Sequence, residues 1–101
     1  MRPGNLRRAL NLAFKRTPRG PVRRVLLYET EGCGLCAETF RQLSRVALDL
    51  PIEITRVDIA SDPALSRRYA LRVPVVAIAG REMDAAGAGE PALRGFVAAQ
   101  S

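Results

Sequence analysis

The sequence has no histidine and no tryptophan, two cysteines, one lysine (Lys15), three phenylalanines and two tyrosines among 101 residues. Without histidine, a Ser–His–Asp or Cys–His catalytic arrangement cannot be built. The same absence leaves a tetrahedral zinc site with two of its four ligands, so Cys33 and Cys36 form at most half of one. Two cysteines are too few for a disulfide scaffold. No run approaches the roughly 18 apolar residues of a membrane-spanning helix. The N-terminus is basic but lacks the apolar centre of a secretory signal. These absences point to the cytoplasm, where a close cysteine pair is more often redox-active or metal-binding than structural.

Acidic residues are missing from one region only. Residues 1–24 carry Arg2, Arg7, Arg8, Lys15, Arg16, Arg19, Arg23 and Arg24 and no carboxylate. The remainder holds eight basic and ten acidic residues, so the formal charge of +6 belongs to an N-terminal extension, residues 1–22. A nucleic-acid groove is therefore not expected on the core. Within the extension Leu6, Ala9, Leu10, Ala13 and Phe14 fall on one helical stripe. The stripe fits a short amphipathic helix packed on the domain. A basic helix touching membrane or an acidic partner and an organellar presequence are the alternatives.

What is present is a regular alternation over residues 23–101. Val25–Tyr28 reads as a strand and residues 34–50 as a helix whose apolar face carries Cys36, Phe40, Leu43, Ala47 and Leu50, ended by Pro51. Ile52–Val57 alternates as a second strand. Ser61 or Asp62 caps a helix with Pro63 at its first position, running to about Ala70. Val75–Ile78 is a third strand. Gly80-Arg81 turns into a short fourth strand over Glu82–Asp84, and Pro91 opens a last helix with Leu93, Phe96 and Val97. The order is βαβ, then α, then ββα. Few folds of this size have that order, and the best known is the α/β thioredoxin fold, a four-stranded mixed sheet with flanking helices.

The chemistry concentrates at Cys33-Gly34-Leu35-Cys36, at the start of the first helix. There the unpaired backbone N–H groups and the helix dipole favour a thiolate. CxxC cysteines so placed have pKa values lowered to roughly 3.5–7.5. Periodicity buries Cys36 and exposes Cys33, which makes Cys33 the nucleophile and Cys36 the resolving thiol. Glu29 and Glu31 flank the pair and oppose ionisation. Other readings of the pair are an inert buried dithiol and an iron–sulfur cluster shared by two chains. Val73-Pro74, just before the third strand, is the second signal.

Residues 25–100 resemble a glutaredoxin-like domain of the thioredoxin superfamily. Cys33-Gly34-Leu35-Cys36 resembles its active-site motif and Val73-Pro74 its Val-cisPro pair, and the run from Asp58 to Met83 resembles a small glutaredoxin-like family. The resemblance implies a thiol–disulfide oxidoreductase acting on a protein disulfide or small thiol, with no bound cofactor or metal. It implies that the Val73 backbone pairs with substrate, and that Gly34, Leu35, Arg72, Pro74 and Gly87 complete the binding surface. Glutathione is its candidate co-substrate. Thr30 stands where glutaredoxin proper has lysine, and Gly87-Ala88-Gly89-Glu90 only echoes its glutathione loop, so weak glutathione use is expected, with Arg72 as counter-charge. A non-catalytic binding module with the same fold is the alternative reading.

Overall fold

The computed structural model describes residues 21–100. Residues 1–20 of the extension, including the stripe from Leu6 to Phe14, lie outside the described residues. Strand β1 (Arg23–Glu29) runs parallel to β2 (Ile52–Asp58), in a register that sets Arg23 against Ile52 and Glu29 against Asp58. Parallel strands need a long crossover, and helix α1 (Gly34–Val46) supplies it. A single 3₁₀ turn, Ile59–Ser61, leads into α2 (Pro63–Tyr69). Strands β3 (Val75–Ile78) and β4 (Arg81–Asp84) form an antiparallel hairpin, and α3 (Glu90–Ala99) closes the chain. The sheet order is β2-β1-β3-β4. This is the thioredoxin-fold arrangement that the element order specifies.

Alternation along the strands divides the side chains between two faces. Val25, Leu27, Val76 and Ile78 point to one face, where Leu43 and Val46 of α1 and Leu93 and Val97 of α3 meet them. All eight are essentially inaccessible to solvent. The other face carries Tyr28 and Val75 and is covered by α2 through Leu65 and Tyr69. Val25–Tyr28 is therefore not uniformly buried: Leu26 and Tyr28 face the thinner side and are half-buried.

The end of α1 and the position of the hairpin turn differ from the sequence reading, while the start of α2 agrees with it. Helix α1 stops at Val46, not at residue 50. Leu48 N–H donates to Arg45 C=O and Asp49 N–H to Val46 C=O, tighter i to i−3 bonds that unwind the helix before Pro51. Its buried face is Cys36, Thr39, Leu43 and Val46, with Phe40 and Leu50 only partly covered. The hairpin turn is Ala79-Gly80, with Arg81 already in β4. Both turn residues have positive φ, 52° and 82°, as a two-residue turn requires. At α2 the cap is Asp62, whose carboxylate accepts from Ala64 N–H at 2.9 Å, with Pro63 following.

Candidate functional site

The loop from β1 into α1 delivers both cysteines. Cys33 is the N-cap residue of α1, in extended conformation, and its Sγ accepts the Cys36 N–H at 3.1 Å. It thus occupies the position where a side-chain acceptor satisfies one of the helix's free donors. Cys33 and Cys36 are joined as a disulfide, with Cα atoms 5.2 Å apart, inside the ordinary span of such bonds. Cys36 is 1% exposed, on the face shared with Leu43 and Val46, while Cys33 is half-exposed. The two sulfurs are therefore unequal in access.

The Val73–Pro74 segment reaches the same end of the sheet. Val75, the first residue of β3, pairs with Tyr28, near the strand end that leads to Cys33. The Val73–Pro74 peptide is cis, and Pro74 is fully buried. Its carbonyl accepts from Ala85 N–H at 2.9 Å, tying it to the end of β4. The Val73 N–H donates to Tyr69 C=O at 3.0 Å, so this donor is already used within the chain. The Val73 carbonyl accepts no backbone hydrogen bond among the described residues.

Arg72 does not stand free as a counter-charge. Its guanidinium bonds Asp84 at 2.9 Å and Glu82 at 3.0 Å, both on β4. Glu82 also accepts from Arg68 and from the Tyr69 hydroxyl, and Tyr69 stacks on Tyr28 with ring centroids 4.2 Å apart. The hydrogen bond from Tyr69, the largest cause, holds the Glu82 carboxyl below its ordinary value. This cluster fastens the segment before Pro74 to β4.

Two clefts flank the start of α1. The smaller, about 80 Å³, brings together Leu35, Gly87 and Gly89 with Glu38 and Gln42. Ala85 also lines it, so it adjoins the Pro74 segment. It contains no cation. The larger, about 430 Å³, is walled by Cys33, Glu29, Glu31, Ala37, Arg56 and Asp58. Glu29 bonds Arg56 through both carboxylate oxygens, at 2.7 and 3.0 Å, so its charge is matched. Arg56 also lies over the Phe40 ring, 3.9 Å from its centroid. Glu90 is drawn away by Arg45 at 2.6 Å and by Arg94. Sequence reasoning missed Arg56 and Asp58. The residues carried no signal for them: the register that sets Asp58 beside Glu29 is fixed only when the two parallel strands pair.

Among the described residues no group of three or more His, Cys, Asp or Glu side chains is arranged to hold a metal ion. None of the described helices is long and apolar enough to cross a membrane.

A thioredoxin fold with a bonded CxxC pair at the N-terminus of its first helix defines a protein of the thioredoxin type with a redox-capable dithiol. More particularly, the chain belongs to the glutaredoxin-like domain family (DUF836), whose family model matches residues 24–98. Its structure is similar to the crystal structure of the structural-genomics target protein XcR50 from X. campestris. The TM-score is 0.65 at 33% identity, over 74% of this chain and 96% of that one. The solution structure of XcR50 matches at TM-score 0.60 and 32% identity, over 74% and 92% of the two chains. No curated protein matches the sequence.

Proposed function

We infer that the protein is a thiol–disulfide oxidoreductase in which Cys33 is the nucleophile and Cys36 the resolving thiol. The observation that carries this reading is the inequality of two bonded sulfurs at one helix terminus. Cys33 caps α1 and reaches solvent, whereas Cys36 is 1% exposed beneath it. In the reduced protein the helix terminus favours the Cys33 thiolate. That thiolate attacks a substrate disulfide, one substrate thiolate leaves, and a mixed disulfide forms on Cys33. Cys36 then attacks Cys33 Sγ, releasing the second thiolate and restoring the bond between the cysteines. Two electrons pass to the substrate, and the reverse sequence oxidises a dithiol.

The Val73 carbonyl, directed from the segment fixed by Pro74, is the backbone group that accepts from a bound substrate. Gly34, Leu35 and Gly87 are the further residues of the proposed binding surface; Leu35 and Gly87 share the smaller cleft with Ala85, which bonds the Pro74 carbonyl. The partner is a protein disulfide or a small thiol, and the cytoplasm is the compartment in which such a pair cycles. Weak use of glutathione is supported by the engagement of Arg72 with Glu82 and Asp84 and by a smaller cleft without a cation.

The test is to titrate the protein in glutathione redox buffers and quantify both thiols by mass. A reversible two-electron couple between Cys33 and Cys36 is the expected result. Thiols that stay reduced throughout would instead mark a binding module. Visible absorbance in anaerobically purified protein would mark a cluster carrier.

A further inference from the structure

The larger cleft beside Cys33 has an unbalanced charge. Three carboxylates, Glu29, Glu31 and Asp58, face one guanidinium, Arg56. Arg56 is already committed: its edge bonds Glu29 twice and its face covers Phe40. Asp58 uses one oxygen to accept from Ala60 N–H at 2.9 Å. Neither Asp58 nor Glu31 has an ion-pair partner among the described residues. Two unmatched negative charges therefore line the 430 Å³ space that Cys33 shares, a volume typical of ligand sites (about 300–1,000 Å³).

This matters for the chemistry because thiolate attack on a disulfide builds negative charge. The charge spreads over three sulfurs as the new bond forms and the old one breaks. The unmatched acids oppose that charge, and a substrate carrying carboxylates would add to the opposition. A substrate carrying cations reverses it: the cations pair with the cleft and also stabilise the Cys33 thiolate as it reacts.

We propose that the Cys33 cleft selects disulfides flanked by positive charge, specifically peptide disulfides with arginine or lysine beside the cysteine, and that Glu31 and Asp58 set the preference. The proposal rests on the oxidoreductase reading and names its substrate class. The reaction is balanced as written above: Cys33 thiolate displaces one peptide thiolate, Cys36 displaces the other, and the protein leaves oxidised.

The experiment uses the reduced full-length chain, freed of reductant, and three homodimeric disulfides of capped tripeptides. In these the cysteine stands between two arginines, two serines or two glutamates. The rate of Cys33 oxidation is followed by quenching and mass analysis. At low ionic strength the arginine dimer should react roughly tenfold faster than the glutamate dimer, with the serine dimer between them. In about 1 M salt, where the Debye length shrinks to about 3 Å, the spread should largely collapse.

The Glu31→Gln/Asp58→Asn variant should narrow the spread, slowing the arginine dimer relative to the glutamate dimer; asparagine at 58 keeps the capping bond to Ala60. Comparing each dimer's wild-type to variant ratio removes the intrinsic reactivity of the peptides. It also removes any general change in the Cys33 thiolate, which all three dimers share. Equal wild-type rates, or a faster glutamate dimer, would overturn the charge selection and leave the oxidoreductase reading standing. A wild-type to variant ratio equal for all three dimers would remove Glu31 and Asp58 from the role. No reaction with any dimer would overturn the oxidoreductase reading itself.

Discussion

The two faces of the sheet hold the two halves of the candidate site in different ways. On one face, α1 and α3 bury Val25, Leu27, Leu43, Val46 and Leu93 completely, and Cys36 sits in the same layer of α1. On the other face a seven-residue helix, α2, covers only Ile59, Tyr69 and Val75 fully. The Pro74 segment is secured there by polar groups: Tyr69 to Glu82, and Arg72 to Glu82 and Asp84. The cysteine pair is thus positioned by apolar packing, which has no charge to titrate or screen. The proline segment is held in addition by ionised groups, which respond to pH and salt. A small domain with too little apolar surface for two full cores can still fix both halves of a site in this way.

The largest expected effect lies at the cysteines. Cys33→Ser should abolish exchange with any disulfide substrate. Cys36→Ser should still let Cys33 attack and then stall as a mixed disulfide, recoverable by non-reducing mass spectrometry. An adduct on Cys36 in the Cys33→Ser protein would show that packing does not shield the inner sulfur, and the comparison of the faces would fail at its starting point.

Next in size is the packed face. Leu43→Ala removes a fully buried side chain and should cost about 2–5 kcal/mol in urea unfolding. The polar face should respond less: Tyr69→Phe removes the hydroxyl from Glu82 while Arg68 and Arg72 remain, a loss of about 1 kcal/mol. Equal losses from the two substitutions would erase the distinction between the faces.

The polar face should also carry the pH dependence. Burial, with the bond to Glu82, pushes the Tyr69 hydroxyl up from 10.0 to about 12. A raised folded value means the stabilisation is whole below about pH 10 and is lost as pH rises through about 12. Glu82, held below its ordinary 4.5, contributes above that value and is lost as pH falls through its lower folded value. Urea unfolding as a function of pH should show both limbs. Tyr69→Phe should flatten the alkaline one, and Leu43→Ala should change neither. The smallest effect is expected at the sheet edge. Arg24 and Glu53 are 3.9 Å apart with side chains 70% and 64% exposed, and Arg24→Ala should shift stability by less than about 0.5 kcal/mol.

Much of this was legible in the residues. The spacing of Cys36 and Leu43 marks a helix face, and that face is buried as a helix on a sheet must be. Asp62-Pro63 marks a helix start, and α2 begins there. Less legible were positions where a local rule has two outcomes. Thr39, a polar residue outside the apolar stripe read from the sequence, is 2% exposed because it falls between Cys36 and Leu43 on the inner face. Ala47 and Leu50 continue that stripe beyond Val46, but the chain turns before Pro51 and Leu50 is only partly buried.

The sequence by itself determined the order of elements, the helix terminus that carries the dithiol, and which cysteine lies inward. These follow from periodicity and from end signals, which act over a few residues and need no partner. Only the tertiary structure decided the charge pairs. Arg56 takes Glu29, Arg45 takes Glu90, and Arg72 takes Glu82 and Asp84, across separations set by the register of the strands and the seating of the helices. Charged residues lie on solvent faces, where no burial period constrains them. Each has several partners within reach of the unfolded chain, and the folded backbone selects among them. That selection engaged Arg72 with two acids of β4 and left Glu31 and Asp58 without an ion-pair partner among the described residues.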